Sequence, residues 1–332
     1  MTGPASVRTV HLDERGWPAR RTANGPRPVP AARLDEHFAD LLTPPPWATD
    51  IVVYVHGWQT SPDSAVAAFG SLLGLAARQL DTRPELYPRL ASGPRVFAPW
   101  PVLVAWPSRS LPSLAGYRTI RERAHSMSTR GHAARVIGRL LGYLDAQRGD
   151  RTPVLRTRNG QYLHLVGHSF GCRFLCEAVQ WAAGDRPGGT LGWSMPSVPG
   201  RPFTVDSMLL FQMAAPRDAF ATRFTALAGA PLRGPLVATY SQYDRATGFW
   251  HLRAEKRAGI GYAGIGTAPA PISAIDMLPP GRPYPVEALD HRFVSVDAGG
   301  VFVRGRGPAG AHSDHLRPES AHLLLSLADH AR

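Results

Sequence analysis

YLHLVGHSFG, residues 162–171, carries the strongest signal for the fold of this chain. Its first five residues form an apolar run of the kind found in buried β-strands. The residues that follow, 172–179, have the pattern of a helix. A strand, a Gly-x-Ser-x-Gly pentapeptide and a helix are the context of a nucleophile elbow, whose serine hydroxyl projects above a sheet. The stretch therefore predicts that Ser169 is a nucleophile on an α/β fold.

The glycines around Ser169 fit that interpretation because the turn of an elbow is too sharp for large flanking side chains. Gly167 precedes the serine by two residues and Gly171 follows it by two. The helix that begins after Ser169 directs backbone N–H groups and the positive end of its dipole toward developing negative charge. An ordinary strand-to-helix turn stays open as a second interpretation, since glycine and serine are both common in this chain.

Apolar strands and amphipathic helices alternate on both sides of the elbow. Strands are predicted at residues 51–55, 102–106, 208–213, 236–240 and 293–296. Helices are predicted after Ser61, over residues 116–147 with a break near Gly131, and over residues 319–330. This alternation is typical of an α/β protein with a doubly wound, mostly parallel sheet flanked by helices.

Two regions divide the chain by composition. Residues 1–48 are rich in proline and arginine and are predicted to form an arm with one short strand near residues 7–12. Residues 49–332 are predicted to form a single α/β domain. About twenty residues separate the strands at 208–213 and 236–240, which leaves room for one helix and no large cap domain. Glycine- and proline-rich segments at 184–202 and 259–285 predict an open cleft with loop walls.

The charge of the chain is strongly basic, at +12 over 332 residues. All but one of the basic residues are arginine, the exception being Lys256, and they are scattered along the sequence. Nucleic-acid binding requires a concentrated basic face, so we expect a solvated basic surface and no nucleic-acid partner. Attraction to anionic substrates or to membrane surfaces stays open.

The hydropathy pattern argues against an integral membrane segment. No window reaches the roughly 20 consecutive apolar residues that a spanning helix needs. Residues 1–10 contain no long apolar stretch of the kind found in a signal peptide, so a cytoplasmic location is expected unless a signal has been removed. The sequence does not indicate an oligomeric state.

The two cysteines, Cys172 and Cys176, lie four residues apart on the predicted helix after the elbow. That spacing suits a disulfide poorly, so both are predicted to be small core residues. Neither a metal framework nor a cofactor motif is evident, and no cofactor is expected.

A serine nucleophile needs a base, and the base needs a carboxylate that orients it. Asp244 follows the strand at 236–240, at the carboxyl end where ligands bind in parallel sheets. It is the predicted acid, although an aspartate at this place could instead only cap a turn. Asp218, which follows the preceding strand, is the alternative acid.

Two histidines after the last strand compete for the role of the base. His312 lies beside small residues in a tight loop and is the preferred candidate. His315 is the alternative base, three residues further along. A metal site made of these two histidines and Asp314 is conceivable, but no further ligand cluster supports it, and no metal is expected.

The oxyanion of an acyl-transfer reaction needs two N–H donors. The backbone N–H of Phe170, directly after the serine, is the first candidate. The second is the backbone N–H of Trp58, in the loop after the first buried strand, where Gly57 permits close approach to the substrate. Gln59 is the less favoured candidate for this second position.

With these residues assigned, the sequence from Ile51 to the C-terminus resembles the α/β-hydrolase superfamily, and within it a bacterial family of uncharacterised esterase- or lipase-like proteins. The motifs that carry the resemblance are His56-Gly57-Trp58, Trp106-Pro107-Ser108, Tyr117, His168-Ser169-Phe170-Gly171, Ser241 to Asp244, and His312-Ser313-Asp314. The resemblance implies a triad of Ser169, Asp244 and His312. It implies no particular substrate, since one fold hosts many reactions.

The sequence thus predicts a serine hydrolase that cleaves a small-molecule ester-like substrate through an acyl-enzyme. Two different functions stay open. One is an acyltransferase with the same fold and nucleophile, and the second is a non-catalytic basic scaffold.

Overall fold

The computed structural model describes residues 6–91, 96–148, 160–183, 205–230, 232–305 and 307–332. In these ranges ten strands form one sheet. They are β1 Arg8–Leu12, β2 Pro18–Thr22, β3 Gly25–Pro28, β4 Asp50–Val55, β5 Pro99–Ala105, β6 Tyr162–His168, β7 Ser207–Phe211, β8 Leu236–Tyr240, β9 Ile272–Asp276 and β10 Phe293–Asp297. Their order in the sheet is β3-β2-β1-β5-β4-β6-β7-β8-β10-β9. Only the pairings of β2 with β1 and with β3 are antiparallel in this described sheet, and its remaining pairings are parallel.

Helices connect these strands and cover the sheet. They are α1 Leu34–Leu42, α2 Pro62–Thr82, α3 Pro88–Ala91, α4 Leu114–His125, α5 Ala133–Gln147, α6 Phe170–Ala183, α7 Ala219–Thr222, α8 His251–Glu255, α9 Ile260–Ala263, α10 Val286–Leu289 and α11 Pro318–His330. In the described part of the chain, no helix combines the length and the apolar character needed to cross a bilayer.

The central strand β4 shows why helices lie on both faces of the sheet. All six of its residues are buried. Ile51, Val53 and Val55 belong to one apolar cluster, together with residues of α1, α4, α5 and α6. Val52 and Tyr54 point the opposite way, into a second cluster with residues of α2, α3 and α11. Because successive side chains of a strand alternate between faces, this strand is covered on both sides. The predicted fold class, a doubly wound α/β protein with a mostly parallel sheet, is confirmed.

The N-terminal region contains more regular structure than the single short strand predicted for it. β1 pairs in parallel with β5, and β2 and β3 extend the same sheet by antiparallel pairing. α1 then packs against α5. The sequence gives little sign of these strands because β2 and β3 are rich in proline and arginine and largely exposed.

The connections between strands follow the predicted pattern in part. The helix predicted over residues 116–147 is divided at Gly131, where an added Cβ would lie 2.5 Å from the carbonyl oxygen of Arg15. The segment 259–285, predicted as a loop, contains α9 and the edge strand β9. Between β7 and β8 the described residues form α7 and no cap domain. The predicted loop at 184–202 lies outside the described residues. Both cysteines are unpaired and buried, as predicted.

Candidate active site

The elbow adopts a strained backbone conformation at Ser169. Its φ is +56°, a left-handed value that non-glycine residues seldom adopt. The backbone N–H of Ser169 donates to the carbonyl oxygen of Phe211 (3.0 Å), and that of Ala214 donates to the carbonyl oxygen of Ser169 (3.2 Å). These two bonds tie the turn to the chain at the end of β7 and hold the serine in its strained conformation.

The glycines of the elbow are required by close packing. A Cβ on Gly171 would overlap the carbonyl oxygens of Val55 and His56 at the end of β4. A Cβ on Gly167 would come within 2.9 Å of the Cα of Cys172. The small residues on each side of Ser169 therefore allow α6 to start directly against the sheet.

The structure brings Ser169, His312 and Asp244 into direct contact. The Ser169 hydroxyl donates to Nε2 of His312 at 2.8 Å, and Nδ1 of His312 donates to Oδ2 of Asp244 at 2.8 Å. A carboxylate only accepts hydrogen bonds, so Asp244 fixes the imidazole tautomer that carries its proton on Nδ1. Nε2 is then free to accept the serine proton.

Backbone contacts hold the loop that contains Asp244 against the loop that leads to His312. Asp244 and Gly310 form an isolated antiparallel bridge, and the N–H of Ala311 donates to the carbonyl oxygen of Tyr243 at 3.0 Å. Gly310 has a φ of +62°, and this turn leads directly into the short 3₁₀ helix that carries His312. The two loops are thereby positioned as one unit at the carboxyl edge of the sheet.

Asp244 is fully buried and receives further hydrogen bonds. The backbone N–H of Thr247 donates to its Oδ1 at 3.0 Å, and Nε2 of Gln212 donates to its Oδ2 at 3.3 Å. The same Gln212 nitrogen reaches the carbonyl oxygen of Ala311 at 2.9 Å, so it links the acid to the histidine loop. Gln212 was not predicted from the sequence, although it directly follows the strand β7 at the carboxyl edge.

His168, which lies between Gly167 and Ser169 in the elbow, also supports His312. Its Nε2 donates to the backbone carbonyl oxygen of His312 at 2.7 Å. Burial, together with the neighbouring His315 and His312, lowers the pKa of His168 well below its ordinary value. The ring therefore stays neutral at pH 7 and serves as a hydrogen-bond donor to the histidine loop.

The alternative base, His315, makes different contacts from those of His312. Its ring stacks on the ring of His168 with centroids 4.0 Å apart and contacts Phe211 on another side. Neither of its ring nitrogens has a hydrogen-bond partner in the described part of the chain. Burial, with a smaller contribution from His312, lowers the pKa of His315 to about 3. Of the two candidates, only His312 bonds to both Ser169 and Asp244.

Asp218, the alternative acid, and Asp314 also take no part in the contact between Ser169, His312 and Asp244. Asp218 pairs with Arg257 near the surface rather than with His312. Asp314, considered as a metal ligand, accepts hydrogen bonds from the backbone of Arg304 (2.9 Å) and from Arg317 (3.3 Å). Within the described ranges, no group of three or more metal-ligating side chains is arranged around a common point.

The loop after β4 presses against the elbow at Gly57. An added Cβ there would lie 2.7 Å from Nδ1 of His168 and 2.8 Å from Cβ of Ser169. The next residue, Trp58, has a backbone N–H with no acceptor among the described residues, whereas the N–H of Gln59 donates to the carbonyl oxygen of Ser108 at 3.0 Å. Between these two candidate oxyanion donors, Trp58 is the one whose N–H is unoccupied.

The other predicted oxyanion donor, Phe170, is the first residue of α6. N–H groups in the first turn of a helix have no acceptor within the helix. The backbone N–H of Phe170 is therefore available beside Ser169, at the positive end of the α6 dipole.

Aromatic side chains pack around Trp58 in the loop after β4. Nε1 of Trp58 donates to Oγ of Ser110 at 2.7 Å. The Trp58 ring makes edge contacts with Tyr117 and with Trp250, each at a centroid distance of 5.5 Å. These rings pack against Trp58 and give the loop after β4 a largely apolar support.

Ser169 and His312 have little exposed surface at this site. Ser169 is 1% exposed and His312 is 6% exposed. Among the described residues, Gly57 approaches Ser169 closely, and the ring of His312 is hydrogen-bonded to its hydroxyl.

The neutral state of His315 predicts a measurable pH dependence of stability. Below pH 6.5 the unfolded chain binds a proton on this histidine while the folded protein does not, until the pH approaches 3. The contribution of His315 to the free energy of unfolding therefore falls as the pH falls through this window. His315→Phe keeps a ring in the stack but has no group that titrates here. When the pH is lowered from 7 to 5, we expect the free energy of unfolding of this variant to fall by about 2 kcal/mol less than that of the wild type. Urea unfolding at both pH values measures this, and equal losses would contradict a neutral, buried His315.

Comparisons with known proteins add little to this geometry. No known family profile and no curated protein matches the sequence. Among solved structures, the chain is similar to the crystal structure of TT1662 from Thermus thermophilus at 12% sequence identity and a TM-score of 0.38. The alignment covers 86% of this chain and 89% of that chain. A likeness of this extent carries no argument about function, which has to rest on the site itself.

Proposed function

We propose that this protein is a serine hydrolase of the α/β-hydrolase type that cleaves a small-molecule ester. The observation that carries the proposal is the unbroken chain of two 2.8 Å hydrogen bonds from Ser169 through His312 to Asp244. A nucleophile, a base and an orienting acid in this order are what acyl transfer through a serine requires.

In the first half of the reaction, Oγ of Ser169 attacks the ester carbonyl carbon while its proton moves to Nε2 of His312. Asp244 stabilises the imidazolium that forms and does not take up the proton itself. The negative charge on the carbonyl oxygen is stabilised by the backbone N–H groups of Phe170 and Trp58. Removal of one such donor typically costs about 3 kcal/mol of transition-state stabilisation.

The tetrahedral intermediate then collapses to an acyl-enzyme. His312 returns the proton to the leaving alcohol, and the C–O bond to that alcohol breaks. In the second half, His312 takes a proton from a water molecule, which attacks the acyl-enzyme carbonyl. The carboxylic acid leaves and Ser169 regains its proton, so the enzyme is restored.

The substrate class is proposed from the surroundings of the site. The aromatic rings of Trp58, Tyr117 and Trp250 favour an ester with an apolar acyl or alcohol group. A scaffold without catalytic function has no need of a buried serine, histidine and aspartate in mutual contact. An acyltransferase would share the acyl-enzyme and differ only in the second acceptor.

Product analysis tests the proposal. We expect the purified protein to release p-nitrophenol from p-nitrophenyl butyrate and to yield butyric acid as the main acyl product in water. The same reaction with added methanol or glycerol measures partition to an alcohol. Predominant ester formation at low alcohol concentration would favour the acyltransferase, and absence of turnover with short-chain esters would argue against an esterase of this substrate class.

A further inference from the structure

A cavity opens at the carboxyl edge of the sheet, between the ends of β1 and β5. Its volume is about 610 Å³. One wall is formed by residues 11–14 and by the β2–β3 hairpin. The opposite wall is formed by residues 105–109, which are the end of β5 and the loop after it. The volume lies in the range of about 300–1,000 Å³ that is usual for small-molecule sites. The N-terminal region thus completes a pocket in addition to extending the sheet.

This cavity is separate from the candidate active site. In the sheet, β4 lies between β5 and β6, so the strand that leads to Ser169 is two strand spacings, or about 10 Å, from β5. Trp106 and His56 occupy the space at the ends of β5 and β4. Their rings are stacked at 5.9 Å, and Nε1 of Trp106 donates to the carbonyl oxygen of His56 at 2.7 Å.

The lining combines an apolar floor with arginines from both walls. The apolar part is made of Leu12, Ala19, Pro26, Pro62, Trp106 and Pro107. Three arginines, Arg21, Arg109 and Arg123, face two carboxylates, Asp13 and Glu14. The cavity therefore has one positive charge in excess.

The carboxylates already have partners. Glu14 pairs with Arg123 at 3.5 Å, and Oδ1 of Asp13 accepts the backbone N–H groups of Arg15 (2.9 Å) and Trp17 (2.8 Å). Arg21 and Arg109 form no ion pair with any residue that the structure describes. Burial, and to a lesser degree the charge of Arg21, lowers the pKa of His11 in the same wall, so this ring adds no charge at neutral pH.

We propose that this cavity binds an amphipathic monoanion, a carboxylate with a medium-length hydrocarbon body. The carboxylate accepts hydrogen bonds from the guanidinium groups of Arg21 and Arg109, which come from opposite walls. The hydrocarbon lies on the apolar floor, where its removal from water stabilises the complex. The binding does not depend on the proposed hydrolase reaction.

Isothermal titration of the full-length protein with sodium octanoate tests this site. We expect saturable binding that weakens at least tenfold in the double variant Arg21→Gln/Arg109→Gln. Both side chains are exposed, so the fold should survive their replacement. The control is Arg78→Gln, an exposed arginine on α2 located 16 residues after Pro62, about 24 Å away along the helix. It should bind octanoate like the wild type.

Two further ligands test the chemistry of the site. 1-Octanol, which lacks the charge, should bind at least tenfold more weakly than octanoate. Octyl phosphate should bind no more tightly than octanoate, and markedly tighter binding would overturn the assignment of a carboxylate. The proposal is also overturned if octanoate does not bind, or if the double variant binds it like the wild type, because the ligand would then occupy another site such as that of Ser169.

Discussion

Replacement of Ser169 with alanine is expected to lower kcat/KM for p-nitrophenyl butyrate by about 10⁴-fold or more. The variant has no hydroxyl to attack the carbonyl, and His312 has no proton to accept from that position. Only binding and oxyanion stabilisation would remain, and they alone provide a small part of the rate. Initial rates measured over a range of substrate concentrations give this ratio directly.

A matched control separates this effect from a loss of folding. Ser326→Ala removes a buried hydroxyl on α11 that donates to the carbonyl oxygen of His322 at 2.8 Å, away from the site. We expect it to retain the wild-type rate. Circular dichroism and the Tm should show that Ser169→Ala is folded. If a folded Ser169→Ala variant turned over the ester at more than a tenth of the wild-type rate, the chemistry would lie elsewhere.

The second large effect is expected from His312→Ala, again about 10⁴-fold or more on kcat/KM. His312 is the group that takes the serine proton and later returns it to the leaving alcohol. Because it acts as a unit with the serine, the double variant Ser169→Ala/His312→Ala should be hardly slower than either single variant. Full additivity of the two effects would mean that the residues act independently.

His315→Phe is the control for this prediction. It keeps an aromatic ring against His168 but removes both ring nitrogens, neither of which has a partner among the described residues. We expect a rate within tenfold of the wild type. A loss comparable to that of His312→Ala, in a variant with normal stability at pH 7, would assign the base to His315 instead.

The local features of the fold and of the elbow could be predicted from the sequence. The strand before Ser169, the helix after it and the glycines around it are contiguous, so their periodicity and residue types determine the turn. The same holds for the position of Asp244 at the end of β8. The mostly parallel direction of the sheet followed from the alternation of strands and helices rather than from any single segment.

The sequence favoured His312 over His315 as the base but left both candidates open. Both are buried and three residues apart, and both follow the same glycine-rich loop. The orientation of the loop depends on the bridge between Asp244 and Gly310 and on the positive φ of Gly310. These are interactions between segments that are distant in sequence, and no local pattern reports them.

Long-range pairing also explains the elements that were missed. β1 belongs to the sheet because it pairs with β5, which lies some ninety residues away, and β9 pairs with the strand β10. Gln212 lacks a motif of its own, and its contact with Asp244 requires the neighbouring strands β7 and β8 to be aligned. Polar residues at the carboxyl ends of predicted parallel strands are the signal that could have identified it.

The activation of Ser169 as a nucleophile can be measured by reaction with a fluorophosphonate probe followed by intact-mass and peptide analysis. We expect one adduct per chain, located at Ser169 in the peptide that contains residues 167–171, and no adduct in Ser169→Ala. An unlabelled wild-type protein, or an adduct on a different residue, would be incompatible with a nucleophilic Ser169.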